Sequence, residues 1–191
     1  MAFDLQFTSD ESAALVPGLF AGTPVLTPDG PKRAEDLNAG DEVTTSSGEV
    51  ALLRLVLMTR WAIDRHTAPV VITDQVLGHH DQLVVSPQTR IVIAHPQAEL
   101  LYGSAMVMVP AMHLPRSIAH RGSTGESMVT YVQLICDARE VLIAGGLPFE
   151  CTTVDQINMP DLFGNHVPAI SPMPVLDADE TAILMKQMGK S

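Results

Sequence analysis

Few side chains in this chain could attack a carbonyl or carry a proton near neutral pH, and they are scattered. Ser86 and Thr89 lie three residues apart in SPQTR, between the apolar runs DQLVV and IVIAH. Hydroxyls donate and accept hydrogen bonds, but neither gains nor loses a proton near neutral pH. Cys136 falls in the apolar run YVQLIC and reads as a small buried hydrophobe. Cys151, after LPFE, is the alternative nucleophile: with His166 or His113 beside it, it would make a thiol–imidazole pair. Without such a neighbour it is a loop cysteine of no chemical role. His79 and His80 next to Asp81 suggest a metal site, but adjacent residues on a strand point to opposite faces, and a solvated loop is the better reading. His66, His95, His113, His120 and His166 show no ligand spacing, so no metal or cofactor is expected. Asp137 and Glu140 are placed to pair with Arg139 or Arg90 as ordinary structural ion pairs.

The elements that must position these groups are short apolar runs between turn residues. TPVLTPDGPK holds a Pro-Asp-Gly turn, and LNAGDEVTTSSGEV adds two Gly-centred turns. VALLRLVLMTRWAI, APVVITDQVL, DQLVVS, RIVIAH, MVMVPA, MVTYVQLI and EVLIAG read as strands, with helical turns only at KRAEDL and PAMHL. The lone Trp61 is expected half buried, and the methionines of MVMVPAM to fill core or line a peptide groove. Residues 1–17 read as a tail with a short helix in SDESAALV, residues 18–150 as a β domain, and residues 151–191 as an irregular extension. That extension ends in a helix over DADETAILMKQMG, with Asp177 as N-cap, Glu180 three residues on, and Ile183, Leu184 and Met188 as its apolar stripe. A faint internal echo relates TPVLTPDGPKRAEDLNAGDEV to AMVMVPAMHLPRSI, with Leu37 and Leu114 in equivalent places.

Composition bounds the partners. The 191 residues suffice for one domain with a sizeable core. Lys and Arg total 11 against 22 Asp and Glu, a net charge of -11, which argues against nucleic acid and anionic membrane surfaces. No apolar run approaches the ~20 residues of a membrane span. The N-terminus lacks the basic start of a signal peptide, so a cytoplasmic location is the default expectation, with export by another route left open.

Four stretches, in order, resemble the Hint fold, the Hedgehog and intein self-processing module, and most of all its bacterial branch. They are GLFAGTPVLTPDGPKRAEDLNAGDEV, LVVSPQTRIVI, AELLYGSAMVMVPAMHL and YVQLICDAREVLIAGGLPFE. The family's versions read Cys-Phe-x-x-Gly-Thr with a Pro-x-Gly turn and Glu-Asp-Leu-x-x-Gly-Asp-x-Val. They continue with Ser-Pro-Gln-His-Arg, Ala-Glu-Leu-Leu-Tyr/Phe-Gly, and Tyr-Val-His running into Asp-x-His-Glu-Val. The closing stretch PMPVLDADETAILM resembles the family's tail. The resemblance implies an all-β, horseshoe-shaped fold with pseudo-twofold halves plus a short C-terminal helix. The chemistry it implies is an acyl shift: a Cys or Ser at the first domain residue attacks the preceding carbonyl, and a histidine helps the scissile nitrogen leave.

Compared residue by residue, the nucleophile slot falls on Gly18, or on Leu19 if the alignment slides by one. The first hydroxyl is kept as Ser86, but Thr89 stands in the histidine slot. Gln133 replaces the histidine of Tyr-Val-His, and in Asp137-Ala138-Arg139-Glu140 the last histidine is Arg139, which stays protonated. The asparagine used for C-terminal release is absent; the nearest pair, Asn165-His166, has the reverse order. The expectation is therefore a Hint-like domain that does not cleave itself and is kept as a binding or structural module. It would hold its own N-terminal segment or a peptide or protein partner. The alternative is a working autoprocessing domain with a rearranged site using Ser86, Thr89 or Cys151.

Overall fold

The computed structural model describes residues 3–6, 17–73, 77, 82–122, 126–153 and 173–189. Within them the short apolar runs pair into a nine-stranded and a six-stranded sheet. The first is organised on β6 (Val50–Ala62), whose inward Ala51, Leu53 and Leu55 alternate with exposed neighbours. β6 pairs antiparallel with β12 (Met128–Cys136) along its length, with a register shift between Ile135 and Cys136. On β6's other side runs β1 (Phe3–Gln6), parallel to it, with Phe3 opposite Leu57 and Gln6 opposite Arg60. Part of the expected tail is thus a strand. From β12 the sheet passes to β2 (Leu19–Phe20), β8 (Leu83–Val85), β7 (Val70–Ile72) and β11 (Ala119–Arg121). β5 (Glu42–Thr44) joins β6, and β15 (Thr152–Thr153) joins β12.

The six-stranded sheet runs β10 (Met106–Pro110), β9 (Arg90–Ala94), β14 (Leu147–Glu150), β13 (Val141–Ala144), β3 (Pro24–Thr27), β4 (Gly30–Arg33). Leu19, Ile72, Leu83, Ile91, Leu142 and Leu147 from both sheets are essentially inaccessible and form one core. A smaller cluster joins Trp61, Val129 and Tyr131. Trp61 is only 6% exposed, more buried than expected, because its indole N–H finds the Thr59 hydroxyl at 3.1 Å.

The internal echo is a repeated hydrogen-bonding unit. The amide of Thr23 donates to the Phe20 carbonyl (3.1 Å), and the Thr23 carbonyl accepts from Ala34, which opens a 3₁₀ turn over Ala34–Asp36. In the other half the amide of Thr89 donates to the Ser86 carbonyl (3.1 Å), and the Thr89 carbonyl accepts from Ala111, opening a 3₁₀ turn over Ala111–His113. Each turn closes through its following leucine, Leu37 onto Ala34 and Leu114 onto Ala111. Phe20–Thr23 and Ser86–Thr89 are thus matching corners of two similar halves, and both helical turns are where KRAEDL and PAMHL place them.

Three expectations need correction. Among its described residues the apolar run APVVITDQVL gives a strand only over Val70–Ile72. PQAELLY, taken as part of an all-β pattern, is a helix, α1 (Pro96–Tyr102). His95 caps it, its Nδ1 accepting from the Gln97 amide, Pro96 opens it with a preset φ, and Gly103 ends it at φ 68°. The C-terminal helix, α2 (Ala178–Met188), has the expected capping box between Asp177 and Glu180, but its buried face is Thr181, Leu184, Met185 and Met188. Ile183 is 49% exposed, since Thr181, Leu184, Met185 and Met188 alone keep the helical spacing that faces α1 and the core. The helix expected in SDESAALV lies outside the described residues.

Candidate functional site

The pairing of β2 with β8 sets Leu19 opposite Val85 and so carries Gly18 against Ser86. Three hydrogen bonds of ordinary length fix the place: Ser86 N–H to the Gly18 carbonyl at 2.8 Å, Gly18 N–H to Thr89 Oγ1 at 2.9 Å, and Gly18 N–H to Ser86 Oγ at 3.1 Å. The Thr89 hydroxyl also donates to the Gly18 carbonyl at 2.8 Å. That bond uses its one proton, so in the 3.1 Å contact between the two hydroxyls Ser86 is the donor. Ser86 and Thr89 are 0% and 1% exposed. Four positions singled out in the sequence, Gly18, Ser86, Thr89 and Gln133, therefore meet at one buried point.

Gly18 is enclosed on its other side by β12. A Cβ added at Gly18 would lie 3.1 Å from the Tyr131 Cβ, 3.3 Å from the Val132 carbonyl and 3.6 Å from Gln133 Cγ. The first two contacts are backbone or backbone-near, so room for a larger residue comes only from shifting the strand. Tyr131 is held in turn, its hydroxyl donating to the Thr67 carbonyl at 2.7 Å, and burial pushes its phenol well above the usual value. Gln133 is 2% exposed, and its Oε1 has no hydrogen-bond partner among the described residues. An orphaned buried acceptor of this kind costs about 1–3 kcal/mol.

The Asp137–Glu140 segment does not use its own acids for pairing as expected. Arg139 reaches Glu150 Oε1 at 2.8 Å, and Arg90 reaches Glu150 Oε2 at 2.7 Å. Glu150, whose side chain is 5% exposed, bridges two guanidiniums that need its charge. Asp137 instead faces solvent and meets Arg54 at 3.6 Å. Glu150 was missed from the sequence; its only signal is an acid ending the apolar strand LPFE, where a buried charge demands a cation. Through Arg90, next to Thr89, this ion network ties the Arg139 position to the Gly18 corner.

Cys151 joins β14 to β15 and is buried, 2% exposed. Its sulfur accepts from the Glu140 amide at 3.3 Å and its thiol donates to the Ala138 carbonyl at 3.5 Å. Neither contact is a histidine. His113, its proposed partner, turns Nδ1 to the Leu176 carbonyl at 3.4 Å, and His166 lies outside the described residues, as do His79, His80 and Asp81. Both cysteines are free, and Cys151 beside Cys136, together with burial, pushes the Cys136 thiol up. Among the described residues no group of three or more His, Cys, Asp or Glu could hold a metal ion, and no helix is long and apolar enough to cross a membrane.

Chemically, the side chains that the described residues bring to the Gly18 nitrogen, Ser86 Oγ and Thr89 Oγ1, accept its hydrogen bond. Accepting from an amide N–H favours the planar, conjugated peptide, whereas release of that nitrogen needs a proton delivered to it. No side chain at position 18 can attack the Pro17 carbonyl.

Residues 17–156 match the family model described as the Hint domain. Among solved structures, the chain is similar to a crystal structure of the MchDnaB-1 intein, at 16% identity over 70% of this chain and 99% of the other, with a TM-score of 0.47. It is also similar to the solution structure of a bacterial intein-like domain from Clostridium thermocellum, at 14% identity over 71% and 97%, with a TM-score of 0.47. A search of curated proteins finds no match.

Proposed function

The chain belongs to the Hint domain family, and from that premise we propose that it is a Hint domain that does not cleave itself and acts as a binding or structural module. Its former reaction corner serves as a clamp on its own chain at Pro17–Gly18. The observation that carries this reading is the Gly18 peptide nitrogen donating to two buried hydroxyls, Thr89 Oγ1 and Ser86 Oγ. Where an acyl shift needs a nucleophile and a proton donor, the corner supplies hydrogen-bond acceptors and a glycine. Loss of general acid-base help costs ~10²- to 10⁴-fold, and loss of the nucleophile removes the covalent route. Arg139, locked to Glu150, cannot replace the missing proton carrier.

The test is intact mass followed over several days, with and without dithiothreitol or hydroxylamine. The wild type is expected to keep its full mass under all conditions. A Gly18→Cys, Thr89→His double variant supplies both missing groups; a thiol-dependent loss of residues 1–17 in it alone identifies these two sites as where activity was lost. Because the new Cβ at position 18 meets Tyr131 Cβ and the Val132 carbonyl, that cleavage should be slow. Release of residues 1–17 from the wild type would sink the proposal and reinstate an autoprocessing domain with a different nucleophile.

A further inference from the structure

Next to the Gly18 corner, one face combines a cavity with, among the described residues, an open sheet edge and positive charge not paired with a carboxylate. The cavity, about 540 Å³, has an apolar wall that includes Val70, Leu114 and Ala119, and a polar rim of Arg116, His120 and Arg121. Among the described residues no carboxylate lines it. In a chain with 22 acids against 11 bases this is a local reversal of sign. Among the described residues Arg116 and Arg121 form no salt bridge; Arg121 Nη1 donates instead to the Ala68 carbonyl at 2.8 Å. Both side chains are exposed, as is that of His120, whose imidazole supplies an N–H donor.

Among the described residues β11 ends the nine-stranded sheet, with β7 as its neighbour. The bonds from Thr73 N–H to the Ile118 carbonyl (3.2 Å) and from Gly122 N–H to the Pro69 carbonyl (2.8 Å) make residues 118, 120 and 122 the hydrogen-bonded positions toward β7. By the alternation of an antiparallel ladder, the N–H and C=O of Arg121 and the C=O of Ala119 turn to the open side. The Ala119 N–H is taken by the Pro115 carbonyl at 3.0 Å. Edge and cavity share Ala119 and Arg121.

We propose that β11 and this cavity form a docking site for an extended, acidic segment of a partner protein. The segment adds beside β11 as a further strand, places an apolar side chain in the cavity, and sets carboxylates against Arg116 and Arg121. Charge selects this occupant: among the described residues the rim is cationic and without a salt bridge, in a chain whose net charge is -11. The site adjoins the Gly18 corner through Ala111, whose amide donates to the Thr89 carbonyl, but uses none of that corner's groups and holds whether or not the corner cleaves.

The probe is a fluorescein-labelled, acetylated octapeptide of alternating aspartate and leucine, titrated with the full chain and read by anisotropy. Binding is expected, weaker at higher salt, and at least about tenfold weaker for the Arg116→Glu, Arg121→Glu double variant. Trp61 fluorescence of the variant should match the wild type, confirming that these exposed changes leave the fold intact. Methylation of alternate peptide nitrogens should abolish binding by removing the donors an added strand needs. No binding of the unmodified peptide would overturn the proposal, and so would equal binding of the methylated one. Saturable binding of octanoate or inorganic phosphate that the peptide does not displace would overturn it too, marking a small-anion site.

Discussion

If the Gly18 corner is a clamp, its two hydroxyls back each other up, and their removal must be non-additive. Thr89→Val keeps the shape and deletes three bonds, those to the Gly18 N–H and the Gly18 carbonyl and the one with the Ser86 hydroxyl. Neither backbone group is orphaned, because Ser86 Oγ still accepts from that N–H and the Ser86 amide still donates to that carbonyl. At roughly 0.5–1.5 kcal/mol per net bond, the cost is about 1.5–4.5 kcal/mol. Ser86→Ala leaves Thr89 Oγ1 on the same N–H and should cost about 1 kcal/mol. In the double variant the Gly18 N–H is buried with no acceptor, which adds a penalty of about 1–3 kcal/mol beyond the sum. Urea unfolding followed by the single buried Trp61, in contact with the Tyr131 that walls Gly18, reports all four corners of the cycle. A coupling of at least about 1 kcal/mol is expected; additivity within about 0.5 kcal/mol would refute mutual backup and with it the clamp.

Three other outcomes are expected. Glu150→Gln strands two partly buried guanidiniums and should cost about 3 kcal/mol in the same assay, several times more than Arg54→Ala at the exposed Asp137 pair. Asp177→Ala removes the α2 cap, which receives the Asp179 and Glu180 amides, and should lower stability by about 1 kcal/mol while leaving the Gly18 corner unaltered. The Asp64 carboxylate accepts from the Thr67 and His66 amides, which holds its pKa below the usual value. Its contribution is therefore complete above the unfolded aspartate value and is lost as pH falls through the lower folded one, so Asp64→Asn should flatten the stability profile below about pH 4 and leave the neutral range unchanged in slope.

What the sequence made legible follows from which forces are local. Turn residues and the short apolar runs between them mark β6, β9, β10 and β12, and Asp177 with Glu180 marks α2, because these signals act within a few residues. α1 was hidden because its start is signalled by a capping histidine, His95, and a proline, both of which read as breaks between strands. Ile183 was misplaced for a different reason: helical spacing allows several faces, and the choice among them is made by α1 and the core. Glu150 left only the faint mark of an acid ending LPFE, since its meaning lies in Arg90 and Arg139, 60 and 11 residues away.

Thr89 shows how the two levels meet. By motif it is a missing histidine, and that reading is a statement of loss. The fold adds that Thr89 occupies the same corner in its half that Thr23 occupies in the other, with the same bond back three residues and the same carbonyl accepting from the first residue of a 3₁₀ turn. A threonine is thus a residue this corner already accommodates. What differs is the neighbour: the Thr89 hydroxyl has the Gly18 peptide within reach, and takes both its N–H and its carbonyl. On the proposed reading, the side chain that stands where the family keeps a proton carrier instead holds the nitrogen of the Pro17–Gly18 bond through the Gly18 N–H, and the following peptide through the Gly18 carbonyl. For the same reason Thr89→His in an otherwise unchanged chain should loosen Gly18 without producing cleavage.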